Sequence, residues 1–338
     1  MEEYMVERQE LSWLLRQEYG LDGKLHLLHS VDGTDGKQIL VMYRLDIPHG
    51  HSWIIQAYHE TFAQQPIFPW ITDNSLLRWL EHRAALLSFL EQQKYPAPRL
   101  RLTQNQKMLC CHNGWFLSVS SFIDGIAEDM SIETLSSAAT YLGSLHQLPL
   151  PSNISWSWWN PSLMARAQEP LDHVLSNRED LKDLLHTCSH LLQSVLQYVG
   201  PLSLVHGDCW LPNLLRTKEN VAFIDWEFAG KGYAVLDLGA FLLKGQYLPG
   251  GILPQKMIPQ RVQAIVEGYR QRRQLSEEEI ALLPDAIRFT MAWRGILACA
   301  RFSSNIRTSG IDALFSRVQQ GLQLANDIIP IALRALQY

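Results

Sequence analysis

The segment SLVHGDCWLPNLLRTKENVAFIDWEFAG, residues 203–230, constrains this chain more than any other stretch. SLVHGD is apolar and strand-tolerant and runs into a loop turned by Gly207 and constrained by Pro212. NLLRT, KEN and VAFIDW then read as strand, tight turn, strand. Closing that hairpin makes neighbours of Asn213, at the start of one strand, and Asp225, at the end of the other. Two oxygen donors at one point suit Mg2+, which is commonly held by one or two protein groups plus substrate phosphates. Asp208, five residues before Asn213, reaches the same place from the loop without being a ligand. Phosphoryl transfer from a nucleotide needs that division: one carboxylate to accept a proton from the attacking hydroxyl, and an Asn and a second Asp to hold metal on the phosphates.

A chain of 338 residues is long for one core, since single cores stop growing near roughly 250 to 300 residues, so two lobes are expected. In the first third, VERQELSWLLRQEYG reads as a helix ending at Gly20. KLHLLHSV, KQILVMYRLDI and HSWIIQAYH read as an antiparallel meander punctuated by DGTDG and PHG. SLLRWLEHRAALLSFLEQQ has helical periodicity with Asn74 or Ser75 as cap, and KMLCCHN and WFLSVSSF add two strands around Asn113 and Gly114. Beyond that the pattern is helical apart from the opening segment, with helices expected at 236–244, 260–273, 276–302 and 310–337. The reading is an α+β chain: residues 1–122 form a lobe of small antiparallel sheet plus helix, and residues 123–338 a mainly α-helical lobe.

Bulk charge narrows the partners. A net charge of −5 argues against a nucleic-acid or anionic-membrane partner, since either would favour a clustered basic surface. YRQRR at 269–273, followed by SEEE, reads as a solvated helix end and turn. The N-terminus is acidic and amphipathic rather than basic then apolar, so it does not read as a signal peptide, and no stretch is long and apolar enough to span a bilayer, so a cytoplasmic location is expected. The five cysteines are scattered, without metal-site spacing, and are read as reduced thiols; Cys209, inside the opening motif, reads as a packing residue. SNISWSWWNP at 152–161 is rich in Trp, which suits either a pocket for a ring-bearing ligand or a loop packed over the helical lobe.

HGDCWLPN, FIDWEFAGKG and LDLG, with LGSLHQLP upstream, resemble the aminoglycoside phosphotransferase and choline kinase superfamily, whose members are similar to protein kinases in fold and phosphorylate small-molecule hydroxyls. The resemblance runs along essentially the whole chain and is strongest over residues 204–238. It implies that Asp208 is the catalytic base, that His206 orders the catalytic loop, that Asn213 and Asp225 bind Mg2+, and that Asp237 braces the loop from the following helix. It implies ATP, or GTP in its place, as phosphate donor, a nucleotide-binding first lobe with contacts at Gln56, Arg83, Ser120 and Phe122, and a small-molecule hydroxyl as acceptor. Acceptor candidates in the helical lobe are Asp124, Glu227, Trp293 and Arg294, with Trp156, Trp158 and Trp159; acids would suit an aminoglycoside or amino alcohol, and Arg294 a substrate carboxylate.

One position departs from the pattern. The third strand of WIIQAY carries Gln56 where the family places a cation paired with a Glu on the next helix, and that helix has Arg83 near the Glu position, with Glu81 two residues away. A neutral amide loses the charge-assisted part of a phosphate contact, roughly half its strength. Arg83 or Arg44 can supply the cation instead, and Gly33 and Gly36 fit either a phosphate-covering loop or a plain turn. The competing readings are a catalytically impaired binding protein, which Gln56 favours, and a metal-dependent hydrolase using His206, which would need more convergent ligands.

Overall fold

In the computed structural model, residues 8–337 are described apart from 34–37, 49, 65–75, 128, 153, 156, 158, 160, 167 and 303–308. The expected cap at Asn74 or Ser75, and Gly36, Trp156 and Trp158, therefore lie outside the described residues. The chain divides into two compact units, Met1–Asp124 and Gly125–Tyr338.

The first unit contains α1 (Arg8–Tyr19), β1 (Lys24–Asp32), β2 (Gln38–Asp46), β3 (Trp53–His59), α2 (Leu76–Gln92), β4 (Leu100–Arg101), β5 (Cys110–His112) and β6 (Trp115–Ser121). The strands form one antiparallel sheet in the order β1-β2-β3-β6-β4, with β5 also pairing β6. Alternation along each strand sends Val41, Tyr43, Ile55, Ala57, Leu117 and Val119 to the face covered by α1, through Leu11, Leu14, Leu15 and Tyr19. The opposite face takes Leu40 and Tyr58, packed with Leu76 and Leu80 of α2. Gln56 is in register with Met42 and Ser118, and Ser120 with Ile54. The sequence reading lacked β4, because two residues carry no readable alternation.

The second unit contains β7 (Ile126–Ala127), α3 (Ile132–Leu145), α4 (Pro161–Arg166), α5 (Gln168–Asn177), α6 (Lys182–Gln197), β8 (Leu202–Val205), β9 (Leu214–Arg216), β10 (Val221–Phe223), β11 (Gly230–Tyr233), α7 (Ala234–Lys244), α8 (Pro259–Arg270), α9 (Glu277–Phe302) and α10 (Ser309–Gln337). The expected hairpin is present: β9 and β10 are antiparallel with Arg216 opposite Val221, and β7 joins on the far side of β9. β8 pairs with β11, whose sequence GKGY has too little apolar character to read as a strand. α7 is buried along all eleven of its residues and packs against α9, as a helix apolar on every side must.

One reading is corrected here. The basic run at 269–273 is not wholly solvated: Arg273 forms a two-pronged ion pair with Glu279, at 2.7 and 3.1 Å, and Glu279 is only 2% exposed. Trp159 takes the packing alternative, buried against Phe289 and Trp293 at ring distances of 5.8 and 6.5 Å. Among the described residues no helix is long and apolar enough to cross a membrane.

Candidate active site

The loop between β8 and β9 is built around Gly207. Its φ of +81° disfavours any residue with a side chain, and a Cβ there would lie 2.4 Å from the Phe228 carbonyl oxygen. The backbone on either side is fixed by Asp237 in the first turns of α7, whose Oδ2 accepts the His206 N–H at 2.7 Å and whose Oδ1 accepts the Gly207 N–H at 2.9 Å. Burial works against the Asp237 carboxylate, but the His146 hydrogen bond and these backbone donors outweigh it and hold its pKa below the ordinary value.

His206 is completely buried, beside the rings of Trp226 and Phe223 at 4.6 and 5.2 Å. Its Nε2 donates to the Ile224 carbonyl at 3.0 Å, which leaves Nδ1 to accept the Asp208 N–H at 3.3 Å. Burial pushes its pKa down, which keeps the ring neutral. With both nitrogens engaged, His206 ties the loop carrying Asp208 to the residue before Asp225 and cannot ligate a metal.

Asp208 is the meeting point. Its Oδ2 accepts from Asn213 Nδ2 at 3.0 Å, and its Oδ1 from Lys244 Nζ at 2.6 Å. Asn213 Nδ2 also donates to the Asp208 main-chain oxygen at 3.1 Å, so both of its hydrogens are spent within the loop and Oδ1 is the amide's lone-pair donor. Asn213 closes the 3-10 turn Leu211–Asn213, and its carbonyl accepts the Ile224 N–H at 2.9 Å, bringing it beside the end of β10. Asp225 follows, exposed, with φ 63° and ψ 66°, the left-handed conformation that Asp and Asn tolerate best among residues with side chains. A carbonyl oxygen and a carboxylate form a hard, two-membered donor set. That fits a cation that keeps its remaining ligands from phosphate and water, and among the described residues no group of three or more His, Cys, Asp or Glu is placed to hold a metal by itself.

Lys244 was missed by the sequence reading. It is 2% exposed, and α7 carries only one other ionisable group, Asp237 in its first turn, seven residues and about 10 Å back along the axis. Two turns apart, the pair shares one helix face, so α7 grips the loop twice, at the backbone through Asp237 and at the Asp208 carboxylate through Lys244. The readable signal was a lysine closing an otherwise apolar helix.

A buried relay supports the loop from behind. His146, just past α3, donates from Nε2 to Asp237 at 3.2 Å and accepts from Tyr269 Oη at 2.8 Å, and Tyr269 in turn accepts from Arg273 at 3.1 Å. Burial lowers the pKa of His146 as well. Cys209 is fully buried, and burial pushes its thiol well up, consistent with packing.

The other expected residues are dispersed. In the first unit, Arg83 is buried on α2 and donates to Tyr58 Oη at 2.8 Å and to Ser118 Oγ at 2.6 Å, which sets a guanidinium on the residue directly across from Gln56. Arg44 is bonded to Asp46 at 2.6 Å and lies 4.1 Å from the Phe122 ring, and the Phe122 N–H donates to Ser52. Asp124 is exposed at the end of the first unit and Glu227 half-buried in the turn after Asp225. Trp293 is fully buried in the core, whereas Arg294 beside it is half-buried.

The profile of the phosphotransferase enzyme family matches residues 75–275. No curated protein matches the chain in sequence. Among solved structures, an amicoumacin kinase in complex with AMP-PNP and Ca2+ is similar at a TM-score of 0.68 and 14% identity, over 96% of this chain and 93% of that one. A microcompartment-associated aminopropanol kinase aligns at 0.58 and 17%, over 97% and 99%, and a choline kinase from Cryptosporidium parvum Iowa II at 0.56 and 14%, over 90% and 91%. These likenesses establish the two-lobed, protein-kinase-like α+β fold.

Proposed function

The chain belongs to the phosphotransferase enzyme family, and from that premise we propose that it moves the γ-phosphoryl group of ATP to a hydroxyl of a small molecule, using Mg2+. The observation that carries the proposal is the Asp208 carboxylate, held by Asn213 and Lys244 on a loop whose backbone Asp237 pins. Asp208 accepts the proton of the acceptor hydroxyl as its oxygen bonds to phosphorus and the bond from phosphorus to the ADP oxygen breaks. Lys244 orients the carboxylate and places a fixed positive charge beside the transferring phosphoryl group. The Asn213 amide oxygen and the Asp225 carboxylate would hold magnesium, which supplies charge neutralisation at the nucleotide phosphates. His206 and Asp237 position the loop and touch no reacting atom.

Arg83 is the cation for the phosphates in the place Gln56 leaves empty of charge. A guanidinium bonded to Ser118, opposite Gln56, supports a supply from the helix instead of the strand, and this favours the active enzyme over the impaired binding protein. The test is calorimetric titration with ATP, with and without Mg2+, followed by ADP release in the presence of hydroxyl acceptors. Magnesium-dependent binding with acceptor-dependent turnover is expected, and Asp208→Asn is expected to bind nucleotide but transfer nothing. Retained turnover in that variant would remove Asp208 as the base.

A further inference from the structure

Contacts of the second unit link three cations, Lys244, Arg294 and Arg317, to the surroundings of Asp208, and only Lys244 has a carboxylate partner among the described residues. Lys244 is paired with Asp208, and its ammonium stands 5.9 Å from the centre of the Trp210 ring. The same ring is covered by Gly251, where a Cβ would come within 2.9 Å of it. The Gly251 carbonyl accepts a hydrogen bond from the Arg317 guanidinium, on α10. Contacts therefore run without a break from Asp208 through Lys244, Trp210 and Gly251 to Arg317.

Arg294 joins Arg317 through the packing of α9 on α10. A Cβ on Gly321 would lie 2.4 Å from Met291 Cγ, and one on Gly295 3.5 Å from Val318, so the two helices run antiparallel with 291 beside 321 and 295 beside 318. That register sets Arg294 beside Arg317. Tyr247, in the turn after α7, donates to Met291 Sδ at 3.2 Å, one helical turn from Arg294, and Arg294, Arg317 and Asp208 all act electrostatically on its hydroxyl. Neither arginine forms an ion pair among the described residues, both are half-buried, and Arg317 Nε is shielded from solvent with no hydrogen-bond partner. Half-buried guanidinium groups without a counter-charge favour an anion, which they bind in charge-assisted, often two-pronged geometry.

Resting on the phosphotransferase reading above, we infer that the acceptor carries an anionic group, a carboxylate or a phosphate, beside the hydroxyl to be phosphorylated, and that Arg294 and Arg317 hold that group while Asp208 meets the hydroxyl. A cationic amino alcohol is disfavoured, because it would bring its charge to two arginines that have no carboxylate partner among the described residues.

The test uses the full chain with ATP and Mg2+ and three probes: D-glycerate, with a carboxylate; ribose 5-phosphate, with a phosphate; and choline, with a cation. Phosphorylation of one of the anionic probes with kcat/KM at least tenfold above that of choline is expected, and which of the two leads identifies the anion. Arg294→Gln and Arg317→Gln are each expected to raise KM for the better anionic probe by about 10- to 100-fold, the loss of one charged contact, with a smaller change in kcat. Arg317→Lys, which keeps the charge and the fold, is expected to retain the preference. Preferred turnover of choline, or an unchanged KM in both glutamine variants, overturns the inference. If no probe is phosphorylated, the phosphotransferase reading loses its support, and calorimetric titration of the same three probes decides the inference separately. Tighter binding of an anionic probe upholds it; tighter choline binding, or no binding of either anion, overturns it.

Discussion

Asp237→Asn tests the claim that the loop is held by a buried carboxylate. The three bonds converging on Asp237 arrive at both oxygens: His206 N–H and His146 Nε2 at Oδ2, and Gly207 N–H at Oδ1. An asparagine has one acceptor oxygen. Its best placement keeps the two bonds at Oδ2 and turns its amide N–H2 toward the Gly207 N–H, so a buried donor loses its acceptor at a cost of about 1–3 kcal/mol. The two retained bonds lose their charge assistance, about 1 kcal/mol each, and relief from burying a charge offsets part of the sum. A net loss of about 2–4 kcal/mol is expected from urea unfolding, together with a fall in kcat of at least tenfold, because displacing the loop moves Asp208 off its productive position. Unfolding free energy within about 0.5 kcal/mol of the parent, with kcat unchanged, would refute the pinning argument, since no substitution of two-acceptor chemistry by one can be silent at a fully buried site.

Stability should depend on pH through the two buried histidines. Both His146 and His206 have pKa values lowered from 6.5 by burial, so below about pH 6.5 the unfolded chain takes up protons that the folded chain refuses, and stability falls with falling pH, by up to about 2.7 kcal/mol per pH unit for two protons. Asp237, lowered from 3.8, adds to the loss only below that value; a flat denaturation free energy between pH 6.5 and 5.5 would contradict the buried, neutral assignment. Asp225→Asn keeps a residue that tolerates the left-handed backbone and removes the charge, so melting temperature should hold while magnesium-dependent nucleotide binding weakens at least tenfold by calorimetry. Gly207→Ala meets both a positive φ and the Phe228 carbonyl; a loss of about 2–4 kcal/mol in urea is expected, and an unchanged midpoint would mean that the loop has another conformation open to it.

Much of the candidate site was legible because its parts are close in sequence. The turn at 217–220 closes β9 on β10 by local backbone chemistry, and the strands need no other element to bring Asn213 beside the end of β10. Helices α1, α2 and α7 to α10 were legible through their periodicity, α7 down to its last turn, whereas α4, α5 and α6 lie in a stretch that read only as generally helical. Strands β4, β7 and β11 were not, because two-residue pairings and a Gly-rich segment carry no alternation.

The sequence by itself therefore determined the α+β class, the hairpin, and the carboxylates and amide around it, since each depends on contacts within about twenty residues or on the repeat of a single element. Only the tertiary structure decided which distant groups meet them. Lys244 reaches Asp208 across 36 residues, His146 reaches Asp237 across 91, and Arg83 meets Ser118 across 35. A helical repeat specifies which residues share a face, but the partner of that face depends on how the helix is rotated and docked in the core, and that is settled by packing among many residues at once. The apolar run of α7 showed that the helix would be buried; its place beside the loop turned its two charged residues into parts of the site.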